Sequence, residues 1–403
     1  MERYLRPFLE QHLVELRQMV FLTGPRQIGK TTLAKSLLER SVPGRNYFNW
    51  DLPDHRKKLL SEIFPGKTIL PKERICFDEI HKYKRWKNTL KGLFDTHEPD
   101  AHWIVTGSAA LNVYRRGQDS LLGRHFTYHL LPLSVGELVA NSTQIRSLDD
   151  LTKGEFDSRS KSHQEAFEDL LERGGFPEPF IHDSPRFLRQ WRISRLERLL
   201  NQDLAQTENL RQMSLVENLM FLLPERVGSP LSINSLREDL EVHFVTVKHW
   251  IDLLERLFYG FRIGTYAEKR SRMLKKESKF YLWDWTEIAK PGIRFENLVA
   301  VHLLKYVLFR NEIEGEELVL NYIKDREKRE IDFVLGNRRN PILGIECKSS
   351  EPHHLNSLSY FARRLGLQRL LVLTKEPGDI KRIRHRETTI DILPASTFLA
   401  TLV

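Results

Sequence analysis

Gly24-Pro25-Arg26-Gln27-Ile28-Gly29-Lys30-Thr31-Thr32 is the stretch on which the fold of this chain turns. An apolar run from Met19 to Thr23 leads into it and a helix-favouring segment, Thr31 to Glu39, leads out. The pattern is therefore strand, glycine-bounded loop, helix, the context a phosphate-binding loop requires. Two glycines let the backbone turn sharply and approach a ligand closely, so that its N–H groups and the helix N-terminus face negative charge. Lys30 then reaches the β- and γ-phosphates of ATP, and the Thr31 hydroxyl is placed to hold Mg²⁺. An ordinary tight turn would leave Lys30 without a reason.

Working outward, Tyr47 to Trp50 reads as a short strand ending at Asp51, and Arg74-Ile75-Cys76-Phe77-Asp78-Glu79 as an apolar strand ending in two acids. Acids at the carboxyl end of such a strand meet the bound phosphates. Asp78 is expected to hold Mg²⁺ and Glu79 to orient and deprotonate the attacking water, although Asp-Glu also favours a helix N-terminus. The strand Trp103 to Thr106 runs into Gly107-Ser108, where Thr106 or Ser108 either senses the γ-phosphate or caps the next helix. Arg124 follows Gly123 just before another strand, His125 to Leu131. It is either an arginine finger for a neighbouring subunit or a surface arginine. An amphipathic helix is expected within residues 1–18, with Leu5, Phe8, Leu9, Leu13 and Leu16 on one face.

These residues carry a resemblance. The loop, Tyr47-Phe48-Asn49 with Asp51, Phe77-Asp78-Glu79-Ile80-His81, Thr106-Gly107-Ser108, Leu122-Gly123-Arg124, Pro132-Leu133-Ser134 and Gly174-Gly175-Phe176-Pro177-Glu178 together resemble prokaryotic AAA-type ATPases that carry a C-terminal DUF4143 domain. The likeness, which extends to AAA+ and archaeal-type ATPases, implies a sheet with a strand between the two nucleotide-binding elements. It also implies oligomers with shared sites, and Arg124 as a finger acting in trans. Trp50 departs from the leucine usual at that position, a change of packing and not of the proposed chemistry.

With 403 residues, 40% of them hydrophobic, the chain is long enough for two to four domains. Lys and Arg (63) exceed Asp and Glu (54), a formal net charge of +9 that suits an anionic partner such as DNA. The two cysteines, Cys76 and Cys347, sit in apolar runs as small core residues, which excludes a disulfide framework or a Cys/His zinc site. No run approaches the length of a membrane span and no signal-peptide core opens the sequence, so a cytoplasmic protein is expected.

Polar residues 141–163 read as a connection, Gly174 to Pro179 as a turn no helix crosses, and the leucines from Pro185 to Leu223 as two helices of a lid. Arg192 or Arg195 is either a second sensor or, as is common on helices, a surface arginine. Ser232 caps a helix, a second runs from Thr246 to Leu257, and Phe261–Thr265 with Phe280–Trp283 form a hairpin. That order makes a winged helix-turn-helix. Thr246, Lys248 and His249 lie near the start of its second helix, and Lys269, Arg270, Arg272, Lys275, Lys276 and Lys279 form a basic wing placed for phosphates. The competing reading is a lid or protein contact with a solvated loop.

After Pro291-Gly292 the order is helix, three strands, helix, strand. Strand alternation puts Glu330 and Asp332 on one face, and Glu346 and Lys348 on one face of the next strand. Asp332 and Glu346 as Mg²⁺ ligands, Lys348 activating water and Glu296 reaching in from the helix would form a second site. The arrangement resembles the PD-(D/E)XK nuclease fold, with Glu346-Cys347-Lys348 as its Glu-x-Lys element and no Pro-Asp pair. Lys324, Arg326, Lys328 and Arg329 would suit a DNA backbone. The alternative is a charged sheet face that pairs with itself.

The expected protein is α/β. A P-loop NTPase core of AAA+ type (1–140) is followed by a linker and helical lid (141–225), a winged helix (226–290) and a restriction-endonuclease-like domain (291–403). Its expected task is ATP hydrolysis coupled to action on DNA, as a homo-oligomer with no membrane partner and with a C-terminal domain that binds and conceivably cleaves DNA. A DNA motor or branched-DNA remodeller with a non-cleaving C-terminal domain, and a nucleotide-switched protein-interaction ATPase, are the alternatives.

Overall fold

Met19 to Thr23 is buried along its whole length, as a strand covered on both faces must be, and it forms an interior strand of a parallel sheet. The computed structural model describes residues 2–38, 40–68, 70, 73–96, 101–107, 121–139, 145–156, 160–204, 210–266, 278–325, 327, 329–338, 340–351, 356–367, 369–385 and 388–403. They fall into two compact units, Met1–Leu131 with Arg256–Phe258, and Pro132–Glu255 with Tyr259–Val403.

The first unit runs α1 (Arg6–Glu15), β1 (Met19–Thr23), α2 (Lys30–Ser36), β2 (Tyr47–Asn49), α3 (Pro53–Lys58), β3 (Ile75–Asp78), α4 (Trp86–Thr96), β4 (Trp103–Thr106) and β5 (His125–His129). The sheet order is β2-β3-β4-β1-β5, every neighbouring pair parallel. β4 therefore lies between the loop-bearing β1 and the acid-bearing β3, as the family resemblance implied. Phe21, Phe77 and Val105 point to the same face and pack with Phe48, Trp86, Leu90 and Trp103 into one core. Burying side chains of this size stabilises by roughly 2–3 kcal/mol each, which fixes the strand register and with it the row of polar residues at the strand ends.

In the second unit come α5 (Val135–Leu138), α6 (Leu148–Lys153), α7 (Lys161–Arg173), α8 (Pro177–His182), α9 (Pro185–Arg198), α10 (Leu210–Arg226), α11 (Ile233–Asp239) and α12 (Phe244–Arg256). β6 (Gly260–Thr265), β7 (Lys279–Leu282), α13 (Pro291–Ile313), β8 (Leu318–Lys324), β9 (Glu330–Asn337) and β10 (Pro341–Lys348) follow. The chain closes with α14 (Asn356–Leu365), β11 (Arg369–Thr374), β12 (Lys381–His385), β13 (Thr388–Pro394) and α15 (Ala395–Leu399). The turn expected over Gly174 to Pro179 is shorter: α7 stops before Gly174, whose φ of 82° suits glycine, but α8 already begins at Pro177, because proline is well placed in a helix's first turn.

The parts expected as lid, winged helix and C-terminal domain form one unit. β6 pairs with β7 through Gly260–Ile263 and then with β8 through Gly264 and Thr265, so the hairpin joins a sheet of order β12-β13-β11-β10-β9-β8-β6-β7. Helix α13 fastens the join. It is buried on nearly every side, and its Asn297 side chain takes both backbone groups of Leu282, accepting from N–H at 2.8 Å and donating to C=O at 2.7 Å. Deeper in the same helix, Lys305 pairs with Glu137 and donates to Ser134 Oγ (2.7 Å) and Pro132 O (3.0 Å). His302 Nε2 accepts from the Val135 N–H at 3.1 Å while Nδ1 lies 2.8 Å from Leu298 O, which fixes the neutral Nδ1–H tautomer. Hydropathy places such a helix but gives no account of these polar partners, because they come from more than 150 residues away.

Candidate nucleotide site and carboxylate cluster

The loop after β1 has the backbone its glycines permit. Gly24 has φ 145°, and a Cβ there would sit 2.1 Å from Leu130 O, so the segment after β5 leaves no room for any other residue. Gly29 (φ 96°) ends the loop, and α2 starts at Lys30. Lys30 Nζ is folded back onto the loop, donating to Gly24 O (2.9 Å) and Pro25 O (2.6 Å). The ammonium thus lies inside the concavity formed by Gly24, Pro25, Arg26, Gln27 and Ile28, where phosphate oxygens would replace those carbonyls as partners. Arg3, which belongs to no recognisable motif, donates to Ile28 O at 2.7 Å and to Leu131 O, holding the loop from outside.

Asp78 is the hub. The sheet register sets Asn49, Asp78, Thr106 and Leu22 in one row at the carboxyl ends of β2, β3, β4 and β1. Buried Asp78 accepts from Thr31 Oγ1 (3.0 Å), Tyr47 OH (2.7 Å), Asn49 Nδ2 (3.2 Å) and Thr106 Oγ1. Sequence reasoning joined Thr31 to Asp78. It missed Asn49 and Tyr47 as holders of Asp78, although their two-residue spacing on a strand at this edge was the available signal. Burial, reinforced by the Asp78 carboxylate, pushes the Tyr47 hydroxyl far above its ordinary range, so it stays a donor. Thr106 is turned to Asp78 in this arrangement, and Ser108 lies outside the described residues.

Glu79 follows with φ 57°, a left-handed conformation that turns its side chain away from the strand direction. Its carboxylate is 3.2 Å from Lys82 Nζ, which also donates to Asp51 at 2.6 and 2.7 Å. Burial opposes the Lys82 charge, but the bond to Asp51 and the charge of Glu79 outweigh it and raise its pKa. Thr31 and Asp78, a hydroxyl and a carboxylate 3.0 Å apart at the helix start, are a donor pair that fits Mg²⁺. Arg124 lies at the other end of the sheet, where its C=O accepts from Met19 N–H, and its guanidinium grips Asp95 on α4 at 2.7 and 2.9 Å. It cannot serve the loop of its own chain, which follows the far end of β1.

In the second unit the acids do converge, but around a lysine. Ile345 pairs with Phe333, which sets Glu346 beside Asp332 on the opposite face of β9 and β10. Asp332 accepts from Cys347 N–H (2.9 Å), Glu346 accepts from Asp332 N–H (3.3 Å), and Lys348 Nζ donates to Glu346 at 2.7 Å. Fully buried Lys279, the first residue of β7, places its Nζ 2.5 Å from Glu330, 3.1 Å from Glu296 and 3.5 Å from Asp332. Tyr281 OH adds a bond to Glu296 at 2.8 Å. Lys279 was expected on the basic wing. That expectation is corrected: the strand begins one residue earlier and turns the side chain inward. Burial raises the pKa of Glu296, Asp332 and Glu346, helped in Glu296 and Glu346 by the Asp332 charge, whereas Lys279 is held charged by its carboxylates against its own burial.

Among the described residues no group of three His, Cys, Asp or Glu stands in position to hold a metal ion. Of the three acids expected to hold a metal, Glu296 and Asp332 face the Lys279 ammonium at 3.1 and 3.5 Å and Glu346 is bonded to Lys348 at 2.7 Å, so in this arrangement all three are paired with lysines. Lys324 and Arg329 are turned to Glu330 (2.6 Å) and Asp325 (2.6 Å), while Arg326 and Lys328 lie outside the described residues. So do Lys269, Arg270, Arg272, Lys275 and Lys276. On α12, Lys248 and His249 are exposed and Thr246 is half-buried. Arg195 is buried against Glu287 (3.2 Å) and Arg192 donates to Thr286 O (2.6 Å), so both are committed within the second unit.

The loop and the row at Asp78 lie within one stretch that matches a known family. Residues 16–139 match the profile of an AAA domain family. The matched stretch spans the loop, Asp78, Glu79 and Arg124. Residues 164–286 match a domain of unknown function, DUF8612, and residues 291–398 another, DUF4143. An uncharacterized protein of Haemophilus influenzae is 23% identical over 377 residues, covering 85% of this chain and 86% of that protein. The uncharacterized protein MJ1637 of Methanocaldococcus jannaschii is 25% identical, and that match covers 66% of this chain and 61% of the archaeal protein. Among solved structures, the Aeropyrum pernix ORC1 protein in complex with DNA is 14% identical over 74% of this chain and 93% of that chain, with a TM-score of 0.30. No helix among the described residues is long and apolar enough to cross a membrane.

Proposed function

We propose that this chain is an ATP-hydrolysing AAA-type ATPase that acts on DNA as a homo-oligomer. The observation that carries the reading is the row at Asp78: one buried carboxylate, bonded to the Thr31 hydroxyl at the loop mouth and backed by Tyr47, Asn49 and Thr106. Thr31 and Asp78 would hold Mg²⁺, which neutralises phosphate charge when bound. The loop amides and Lys30 would bind the β- and γ-phosphates, Thr32 the preceding phosphate, and Glu79, with Lys82 keeping it oriented, would take the proton of the attacking water. Arg124, too far from its own loop, would leave Asp95 to stabilise charge on a neighbour's γ-phosphate.

DNA is the proposed substrate because α11, α12 and the β6–β7 hairpin have the order of a winged helix, with Lys248 and His249 exposed at the start of its second helix and five basic residues in the hairpin's connecting sequence. The non-cleaving version is favoured by one observation, Lys279 at the centre of the nuclease-like carboxylates. End-labelled forked and four-way DNA with Mg²⁺ and ATP tests the whole. The expected result is strand separation or rearrangement that disappears with Lys30→Ala and survives Lys348→Ala, with full-length strands throughout. Shortened strands that vanish with Lys348→Ala would restore the nuclease, and unchanged DNA would leave a protein-directed switch. Mixing Lys30→Ala with Arg124→Ala protein should restore turnover that neither has alone, and failure to do so refutes a finger in trans.

A further inference from the structure

We propose that Lys279 is the resident cation of the carboxylate cluster, its ammonium standing among Glu296, Glu330 and Asp332 as their counter-charge in place of a divalent metal and fastening the β6–β7 hairpin to the C-terminal sheet. Its side chain is fully buried, and its ammonium approaches carboxylates from helix α13 and strand β9. Two of the three carboxylates, Glu330 and Glu296, lie at hydrogen-bond distance from the ammonium (2.5 and 3.1 Å), and Asp332 closes the charge cluster at 3.5 Å. The same carboxylates are steadied from outside: Tyr281 holds Glu296, Lys324 holds Glu330 at 2.6 Å, and the Cys347 N–H holds Asp332.

The geometry separates this from a coincidental surface ion pair. Carboxylates set this close together and largely removed from water repel one another and must either take up protons or find a cation, and the Lys279 ammonium is the cation within reach of all three. Lys279 supplies it from a strand that belongs to the hairpin, because its backbone faces Ile263 on β6 and Pro230 before α11. One side chain thus ties the helix-turn-helix segment to the sheet bearing Glu346 and Lys348. The consequence for cleavage rests on the nuclease-like reading, whereas cation occupancy does not, so the two can fail separately.

Mn²⁺ is the probe, titrated by electron paramagnetic resonance into the nucleotide-free full chain. Wild type should show no Mn²⁺ site that depends on Asp332. Lys279→Met, which keeps the aliphatic stem and removes the charge, should gain one site with affinity roughly tenfold or more above any wild-type binding, since uncompensated carboxylates at this spacing attract a hard cation. The further change Asp332→Asn should abolish it. Thermal melting supplies the second reading: added Mn²⁺ should raise the midpoint of Lys279→Met and leave wild type unmoved. Wild-type Mn²⁺ binding lost on Asp332→Asn would overturn the proposal, as would a folded Lys279→Met that gains none. Should Lys279→Met be unfolded without metal, refolding by Mn²⁺ supports the proposal and failure to refold counts against it.

Discussion

Replacing Gly24 by alanine should damage the nucleotide loop by an amount the backbone geometry sets. At φ 145° an L-residue is strained, costing about 1–3 kcal/mol. The added Cβ would also lie 2.1 Å from Leu130 O, a backbone atom on the segment after β5, and cannot be relieved by rotating a side chain. Overpacking of this kind adds about 1–3 kcal/mol. The sum, roughly 2–6 kcal/mol, is large against the total stability of a domain. Gly44→Ala is the control: φ is 72° but nothing lies within 4 Å of the new Cβ, so only backbone strain is imposed, about 1–2 kcal/mol. Urea unfolding of the two variants beside wild type reads the difference, and binding of a fluorescent ATP analogue reads the loop. Gly24→Ala should be less stable than Gly44→Ala by about 2 kcal/mol or more and should lose nucleotide binding. Equal stability with nucleotide binding intact would refute the claim that the Leu130 carbonyl closes the loop.

Tyr47→Phe removes one donor from the buried Asp78 carboxylate, and should cost about 1.5–3 kcal/mol in thermal unfolding and lower Mg²⁺-dependent ATP turnover while the Asn49 and Thr106 bonds persist. Lys305→Met alone strands Glu137 in the core and should cost about 3–5 kcal/mol, whereas Lys305→Met with Glu137→Leu should recover much of that loss in a double-mutant cycle. Burial lowers the His302 pKa to about 3, against 6.5 in the unfolded chain. The unfolded state therefore binds the extra proton below pH 6.5, and stability, complete above that value, falls as the pH drops towards 3. The loss at pH 5 is on the order of 2 kcal/mol, and denaturant unfolding between pH 7 and 5 should show it in wild type but not in His302→Gln.

Gly24, Gly29, Lys30 and Thr31 announced the nucleotide loop because its chemistry is local: a few consecutive residues supply the turn, the cation and the hydroxyl. Asp78 and Glu79 were legible for the same reason, as acids closing an apolar strand. The alternation in β9 and β10 likewise showed which side of the sheet Glu330, Asp332, Glu346 and Lys348 share, since period-two geometry is a property of the strand itself. Only the tertiary structure decided what meets those side chains. Tyr47 and Asn49 reach Asp78 because parallel pairing sets β2 beside β3, a register chosen by the apolar residues between them. Lys279 read as one of a run of surface cations, and became the centre of a buried carboxylate cluster because β6 bends from its hairpin partner to β8. Charge along a sequence records which groups must find partners; which partner each finds depends on elements brought together from distant parts of the chain, where burial makes an unpaired charge too costly to leave.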